Sequence, residues 1–451
     1  MNPQKPFAAQ NRTFHIVSLG CKVNQYEAQA LREAWGKAGY AESDDPAEAG
    51  IIVIHTCAVT ANAVADVRAM IRRLHRAAPQ SAIRLMGCAA EACAEELAAL
   101  PGVAEVVQRQ DKTAFILDGA KPEQAQGEGS GDVDAPKSPG QADAPTFPPL
   151  CISNYNRARP VVKIQDGCSH GCTYCIVPLT RGRSVSRSPE DVLAEMRRLH
   201  EAGFQELILS GINLRQYGRD FSKSAAIRDF WSLLAFLEKN LAPEWAGRAR
   251  WRLSSLEPGQ LNENALEILS QSRLVAPHLH ISLQSGSPSV LRRMGRGHYR
   301  PESLPDFLAA LRKAWPLMGL GADLLMAFPG ESEAEFEETR AFVQALPLTY
   351  AHVFPFSARP GTTAADLPER VPHEVAEQRA AVIRDLAAAK KEAFLRALLN
   401  REDNRLRMAL ESRESGLGVS EYYASCRLPR EELASGVAAG ELLTVRPLAV
   451  E

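Results

Sequence analysis

Short apolar runs alternate with longer amphipathic stretches along most of this 451-residue chain, and that alternation restricts it to α/β folds built on parallel sheets. Between residues 13 and 110 the series reads FHIVSLG, QYEAQALREAWGKAGY, IIVIHT, ANAVADVRAMIRRLHRAA, AIRLMG, EACAEELAAL and VAEVVQ. It predicts an N-terminal parallel α/β sheet domain over residues 12–118. From residue 160 the alternation resumes with a longer period. Strand candidates are Val161 to Ile164, Glu206 to Gly211, Arg250 to Pro258, His278 to Gly286, Gly321 to Gly330 and Ala351 to Ser357. Helical patterns such as PEDVLAEMRRLHEAG, NENALEILSQS and SEAEFEETRAFVQAL separate them, each opening near a capping residue. Six such units predict a partial (β/α)6 barrel within residues 151–400, with its working face at the C-terminal ends of the strands. A long helix from about His373 to Asn400 follows, and residues 401–451 turn β-like, as expected of a small β-barrel.

The length requires more than one core. Hydrophobic content of 45% and charged content of 24% exclude a fibrous or wholly disordered chain. The exception is residues 119–150, rich in Gly, Pro, Ser, Asp and Gln, which read as a flexible linker. Between 120 and 149 two lysines face five acidic residues, so this stretch would repel a polyanion. No apolar run approaches the roughly 20 residues that span a bilayer, and the first residues carry no signal-peptide core. The expectation is a cytoplasmic protein with no membrane partner. A net charge of −2 leaves no global basic field, so any nucleic-acid contact must use local patches.

Nine cysteines in a chain of this kind suggest metal binding or catalysis more than disulfides. Cys168, Cys172 and Cys175 form C-xxx-C-xx-C in GCSHGCTYC, just after the first barrel strand. Thiolates select zinc or iron–sulfur clusters. A structural zinc wants four ligands, whereas three cysteines leave one position open, as a reactive centre needs; a zinc knuckle is the competing reading. Cys21, Cys57 and Cys88 each follow one of the first three apolar strands of the N-terminal sheet. In a parallel sheet those ends share one edge, so a second three-cysteine set can assemble there. Any one of them alone would more often be a small buried hydrophobe; three at equivalent positions favour a cluster site. Cys93, Cys151 and Cys426 have no such partners.

The GCSHGCTYC run, with Tyr174 before the third cysteine and a βα barrel behind it, resembles the radical S-adenosylmethionine (SAM) superfamily. With IQDGCSHGCTYCIVPLTRGRSVSRS, HISLQSGSPSVLRRMGRGH, DLLMAFPGESEAEF and HVFPFSARPGTTAA in order, the chain resembles the methylthiotransferases. These comprise a cluster-binding N-terminal domain, a radical SAM barrel and a C-terminal TRAM module. The resemblance implies a SAM-cleaving [4Fe-4S] cluster on Cys168, Cys172 and Cys175, and an auxiliary [4Fe-4S] cluster on Cys21, Cys57 and Cys88 whose open iron carries the transferred sulfur. It also implies SAM as cosubstrate, a tRNA substrate, a reductase or other electron donor, and a sulfur donor. Strand-end residues Ser210, Gly211, Glu257, Gln284 and Asp323 are the candidates for SAM or substrate contact; each could also be purely structural.

GCKVNQYE and CAVT are similar to the subgroup that acts on N6-threonylcarbamoyladenosine at position 37 of tRNA. Alternatives are isopentenyladenosine of tRNA, an aspartate of a ribosomal protein and, in another class, a non-enzymatic iron–sulfur or zinc RNA-binding protein. Two positions depart from the family pattern: His55 stands where Asn is usual, and GCAAE lacks the usual aromatic after Cys88. Both concern the surroundings of the auxiliary set, not its ligands. Candidates for RNA contact are Arg181, Arg183 and Arg187 beyond the cysteine loop, Arg292, Arg293, Arg296 and Arg300 with Tyr299, and Tyr422 with Tyr423 near the C-terminus. Half of these arginines could instead lie on solvated helix faces, and the two tyrosines could fill a small core.

Overall fold

The computed structural model describes residues 12–118, 146–428, 436–447 and 449–450. The linker expected at 119–150 therefore lies outside the described residues, except for its last five positions. The molecule divides into two compact units, with the break at residue 151.

In the first unit the strands are β1 (Thr13–Ser18), β2 (Ala41–Glu42), β3 (Ile51–Thr56), β4 (Ala82–Gly87) and β5 (Val103–Val106). They pair in parallel in the order β2-β1-β3-β4-β5. Central β3 is an unbroken apolar run because both of its faces are covered, and Ile52, Val53 and Ile54 are fully buried. Helices α1 (Lys22–Lys37), α2 (Ala61–Ala77), α3 (Cys88–Ala92), α4 (Ala94–Ala98) and α5 (Lys112–Asp118) belong to the same alternation. The apolar positions of α1 bury Val23, Tyr26, Leu31 and Trp35. Trp35 meets Phe14 and Phe115 edge-on, at centroid distances of 5.3 and 5.7 Å.

The second unit opens with β6 (Val161–Lys163), then a two-stranded hairpin of β7 (Gln165–Asp166) and β8 (Val185–Ser186) that brackets the cysteine loop and α6 (Val177–Arg181). The alternation continues through α7 (Pro189–Glu201), β9 (Glu206–Ser210), α8 (Phe230–Trp245), β10 (Arg250–Leu253), α9 (Glu263–Gln271) and β11 (His278–Gln284). It ends with α10 (Pro288–Arg293), α11 (Ser303–Leu311), β12 (Gly319–Met326), α12 (Glu333–Ala345), β13 (Tyr350–Pro355) and α13 (His373–Leu399). Two parallel three-stranded sheets, β10-β9-β6 and β11-β12-β13, are joined by bridges from Trp251 to Val275 and from Leu256 to Ile281. The result is the expected six-stranded partial barrel. Ser188, Asn262 and Ser332 cap the helices that follow them by accepting from backbone N–H groups.

The chain ends in an antiparallel sheet of β14 (Leu406–Ser412), β15 (Leu417–Ser420), β16 (Ser425–Arg427), β17 (Leu442–Val445) and β18 (Ala449–Val450), ordered β17-β14-β15-β16-β18. Among the described residues the outer strands β17 and β18 pair with no further strand, so the small β-barrel expected there is seen only as this five-stranded sheet. The sheet seals the N-terminal ends of the barrel strands. Arg250 donates to the carbonyl oxygens of Arg407 and Val419, and Arg252 to those of Ser420 and Glu421. Both guanidiniums also bind the fully buried Glu206 carboxylate. The opposite, C-terminal ends of the strands are left for the cysteine loop.

Candidate active site

Cys168, Cys172 and Cys175 occupy a loop held at several points. The Cys168 N–H donates to the Gly182 carbonyl at 2.9 Å, and the Thr173 N–H and hydroxyl donate to the carbonyls of Met294 and Arg293. Beneath the loop, the Gln165 side-chain oxygen accepts from the N–H groups of Ile212 and Asn213, while its amide nitrogen donates to Asp166, Gly167 and Ser184. Three donors point at the sulfurs: Gln216 at 3.4 Å and Asn213 at 3.8 Å from Cys168 Sγ, and Arg296 at 3.9 Å from Cys172 Sγ.

Burial pushes the Cys168 and Cys172 thiols up, and Cys175 up to about 12. Three thiols in one poorly solvated loop cannot all ionise unless a cation balances them. Soft donors, an open fourth position and N–H groups aimed at sulfur together fit an iron–sulfur cluster better than one zinc ion.

Glu257, 3% exposed, sits over the same loop. Its carboxylate contacts His298, and lies 3.6 Å from Arg296, 3.6 Å from Arg215 and 3.7 Å from His170. Burial works to raise this carboxyl, but Arg296, His170, His298 and Arg215 hold it below its ordinary value. An ionised acceptor therefore stands beside the cysteines, as binding the amino or hydroxyl groups of a ligand requires. Ser210 ends β9, its carbonyl tied to the Ile164 N–H, and Gly211 packs on Gln165. Gln284 ends β11 with a positive φ of 67°, next to a register shift. Asp323 is bound by His280 and His352.

In the first unit, two side chains stitch the other three cysteines together. Cys21 is the N-cap of α1. Asn24 donates to the carbonyls of Leu19 and Thr56 at 2.8 and 3.0 Å, joining the Cys21 turn to the end of β3. The Thr56 hydroxyl donates to the Met86 carbonyl and accepts from the N–H groups of Ala89 and Ala90, joining the Cys57 turn to the Cys88 turn. Gly20 has φ +92°, and a Cβ there would sit 3.0 Å from Cys57 Sγ, so only glycine allows the first turn to approach the second. The three turns thus meet along one sheet edge, with donor chemistry that fits a second cluster. His55 binds the fully buried Glu27 at 2.7 Å, whose other oxygen accepts from Lys112 at 2.8 Å. That network answers the departure at position 55. Glu27 and Lys112 escaped the sequence analysis because nothing local marks them as partners of a strand-end histidine.

The arginines divide by burial. Arg183, Arg292 and Arg300 are exposed. Arg187 is 4% exposed and grips Glu195 through both terminal nitrogens at 2.6 and 3.1 Å; Arg181 pairs with Asp166. Arg296 faces the cysteine loop, and half-buried Arg293 forms a two-point pair with Glu335. Buried Tyr299 donates to the Leu283 carbonyl. Tyr422 packs edge-on against Phe394, while Tyr423 stacks on His278 at the base of the barrel with the Arg252 guanidinium 5.1 Å from its ring centre.

A six-stranded partial barrel with a three-cysteine loop at its C-terminal face defines the radical SAM class, and residues 162–343 match the radical SAM superfamily. Residues 13–108 match an uncharacterized protein family, UPF0004. The chain is 37% identical over 81% of its length, and 78% of the relative's, to the threonylcarbamoyladenosine tRNA methylthiotransferase MtaB of Bacillus subtilis. It is 32% identical to the Chlamydia pneumoniae protein of that name over 96% of this chain and 95% of the relative. A tRNA-2-methylthio-N(6)-dimethylallyladenosine synthase of Sphingopyxis alaskensis is also 32% identical, with the same coverage. The radical S-adenosylmethionine methyltransferase TsrM of Kitasatospora setae, solved with tryptophan and a SAM analogue, aligns over 82% of this chain and 76% of its own with a TM-score of 0.57 at 15% identity, a likeness of fold alone. This chain belongs to the radical SAM methylthiotransferase family. Membership implies SAM and a [4Fe-4S] cluster at the barrel loop. No helix among the described residues is long and apolar enough to cross a membrane.

Proposed function

We propose that this protein converts N6-threonylcarbamoyladenosine at position 37 of tRNA to its 2-methylthio derivative, using SAM and two [4Fe-4S] clusters. The observation that carries this reading is the pair of three-cysteine sets, each gathered at the C-terminal strand ends of its own parallel-strand domain. The Bacillus and Chlamydia relatives, named for this substrate, support the choice of adenosine. Cys168, Cys172 and Cys175 would hold the radical-generating cluster, and Cys21, Cys57 and Cys88 the auxiliary one. When bound, these clusters supply the electron that cleaves SAM and a docking place for the sulfur to be inserted.

The protein's own groups position and insulate. Asn213, Gln216 and Arg296 present N–H groups to the barrel-loop sulfurs, which favours their ionised form. Glu257 remains ionised and offers an acceptor for SAM's amino or ribose groups. Ser210, Gly211 and Gln284 form the strand-end rim against which SAM would lie. Exposed Arg183, Arg292 and Arg300 are the phosphate-facing candidates; Arg187 and Arg296 act inside the fold. A reductase and a sulfur donor complete the cycle, in the cytoplasm where tRNA is modified.

Mass spectrometry of tRNA nucleosides with and without the gene tests the reading. Loss of the methylthio form of threonylcarbamoyladenosine supports it. Loss of the methylthio form of dimethylallyladenosine would favour the second reading, which rests on the Sphingopyxis relative, and unchanged tRNA would exclude both.

A further inference from the structure

Away from the cysteine loop and Glu257, one further group of metal-ligating side chains converges among the described residues. His280 of β11, Asp323 of β12 and His352 of β13 each bring a donor atom within 4.8 Å of the others. His280 Nε2 lies 3.0 Å from one Asp323 oxygen, and His352 Nδ1 lies 3.1 Å from the other. The three residues stand near the middle of their strands. His352 borders a cavity at the base of the barrel, shared with Tyr422 and Tyr423 of the C-terminal segment, so the group is separate from the reacting face.

The strands hold the rings in place. β12 pairs with β11 on one side and β13 on the other, which gathers side chains of three neighbouring strands on one face. Gly321 leaves the space that the His280 ring needs, because a Cβ there would fall 2.5 Å from His280 Nδ1 and 2.2 Å from the Tyr350 ring. The Tyr350 hydroxyl lies 2.9 Å from His280 Nδ1 and 2.9 Å from His278 Nε2. A ligating histidine uses such an outer partner to fix its tautomer. When His280 Nδ1–H donates to Tyr350, and the Tyr350 hydroxyl donates to His278, the Nε2 lone pair of His280 is turned towards Asp323.

Charge and geometry specify the occupant. Two neutral imidazoles and a carboxylate carry a single negative charge, and among the described residues no lysine or arginine pairs with Asp323. Zinc holds nitrogen and oxygen ligands at about 2.0–2.2 Å, which sets tetrahedral neighbours about 3.3 Å apart. The observed 3.0 and 3.1 Å are close to that separation. Three ligands leave a fourth position for water, and the His352 side chain, 54% exposed beside a cavity of about 410 Å³, leaves the site open to solvent. We infer that His280, Asp323 and His352 bind one divalent transition ion, for which zinc is the best match, at a site distinct from both cysteine sets. Since β13 is an edge strand, the ion would clamp it to the two strands beside it. The inference does not depend on which nucleoside is modified.

The test measures zinc and iron together in the anaerobically reconstituted holoenzyme, incubated with zinc chloride and passed through gel filtration. Wild type should retain about one zinc per chain in addition to its cluster iron. His352→Ala and His280→Ala should lose the zinc and keep the iron, which shows that fold and clusters survive. Tyr350→Phe keeps all three ligands but removes the outer partner, so competition with a chelator should show zinc held about 10–100-fold more weakly. X-ray absorption at the zinc edge should show nitrogen and oxygen neighbours only. Zinc that persists in both histidine variants, or that has sulfur neighbours at about 2.3 Å, sits on cysteines and overturns the assignment. A wild type that retains no zinc overturns it as well, and the three side chains are then a hydrogen-bonded group.

Discussion

Glu206→Gln is the sharpest probe of how the barrel is closed at its base. Glu206 is fully buried, and its oxygens lie 2.5 Å from Arg250 Nε, 2.9 Å from Arg252 Nε and 3.4 Å from Arg159. The two buried guanidiniums in turn hold four carbonyls of the C-terminal segment. Glutamine preserves shape but removes the carboxylate that, among the described residues, these two side chains share, leaving two positive charges in a dry site. Breaking a buried ion pair by removing one partner costs about 3–5 kcal/mol. For a unit of this size that is on the order of 10 °C in melting temperature. Burial works to raise the Glu206 carboxyl, but Arg250, Arg252 and Arg159 hold it far below the ordinary carboxylate range. Its contribution is therefore complete above the unfolded-state value of about 4.3 and is lost as pH falls through the lower folded value. Thermal unfolding of wild type and Glu206→Gln between pH 8 and pH 3 measures both effects. The gap between them should hold steady to about pH 5 and narrow in acid. A gap under about 1 kcal/mol at neutral pH would refute the reasoning, since it would mean the arginines find equal partners elsewhere.

Asn24→Ala removes the donor shared by the Leu19 and Thr56 carbonyls, and should cost about 1–3 kcal/mol while making the N-terminal unit release iron to a chelator faster than wild type; an unchanged release rate would contradict the stitching role. Arg187→Met leaves the buried Glu195 without its two-point partner, so denaturant melting should show a loss of about 3–5 kcal/mol. Exposed Arg183→Glu should leave stability within about 0.5 kcal/mol but weaken tRNA binding in a filter assay and flatten its salt dependence. If the two arginine variants exchanged these phenotypes, the division between interior and RNA-facing arginines would be wrong.

The parallel strands were legible because each is a compact apolar run bounded by turn residues, the barrel-loop cysteines because C-xxx-C-xx-C lies within one short stretch, and the other three because strand ends of a parallel sheet share one edge. What sequence did not reveal is pairing at a distance. Arg187 and Arg296 read as part of a basic surface, since nothing local announces that Glu195 and Glu257 will meet them inside. The β7–β8 hairpin is too short to leave a period. Asp323 was singled out alone, although His280 and His352 sit at inward positions of the two flanking strands; alternation within each strand, read across strand neighbours, was the signal available. Tyr423 lies under the barrel because the C-terminal sheet docks through Arg250 and Arg252, a contact between segments far apart in sequence.

The central claim, two clusters serving sulfur insertion, is tested most directly by iron analysis of the anaerobically reconstituted protein coupled to assay of the modified nucleoside. Wild type should bind about eight irons per chain, with about four lost in Cys57→Ala and a different four in Cys175→Ala. The account predicts that Cys57→Ala still cleaves SAM under reduction but forms no methylthio nucleoside, while Cys175→Ala does neither. A wild-type protein holding only about four irons that still makes the methylthio product would contradict it.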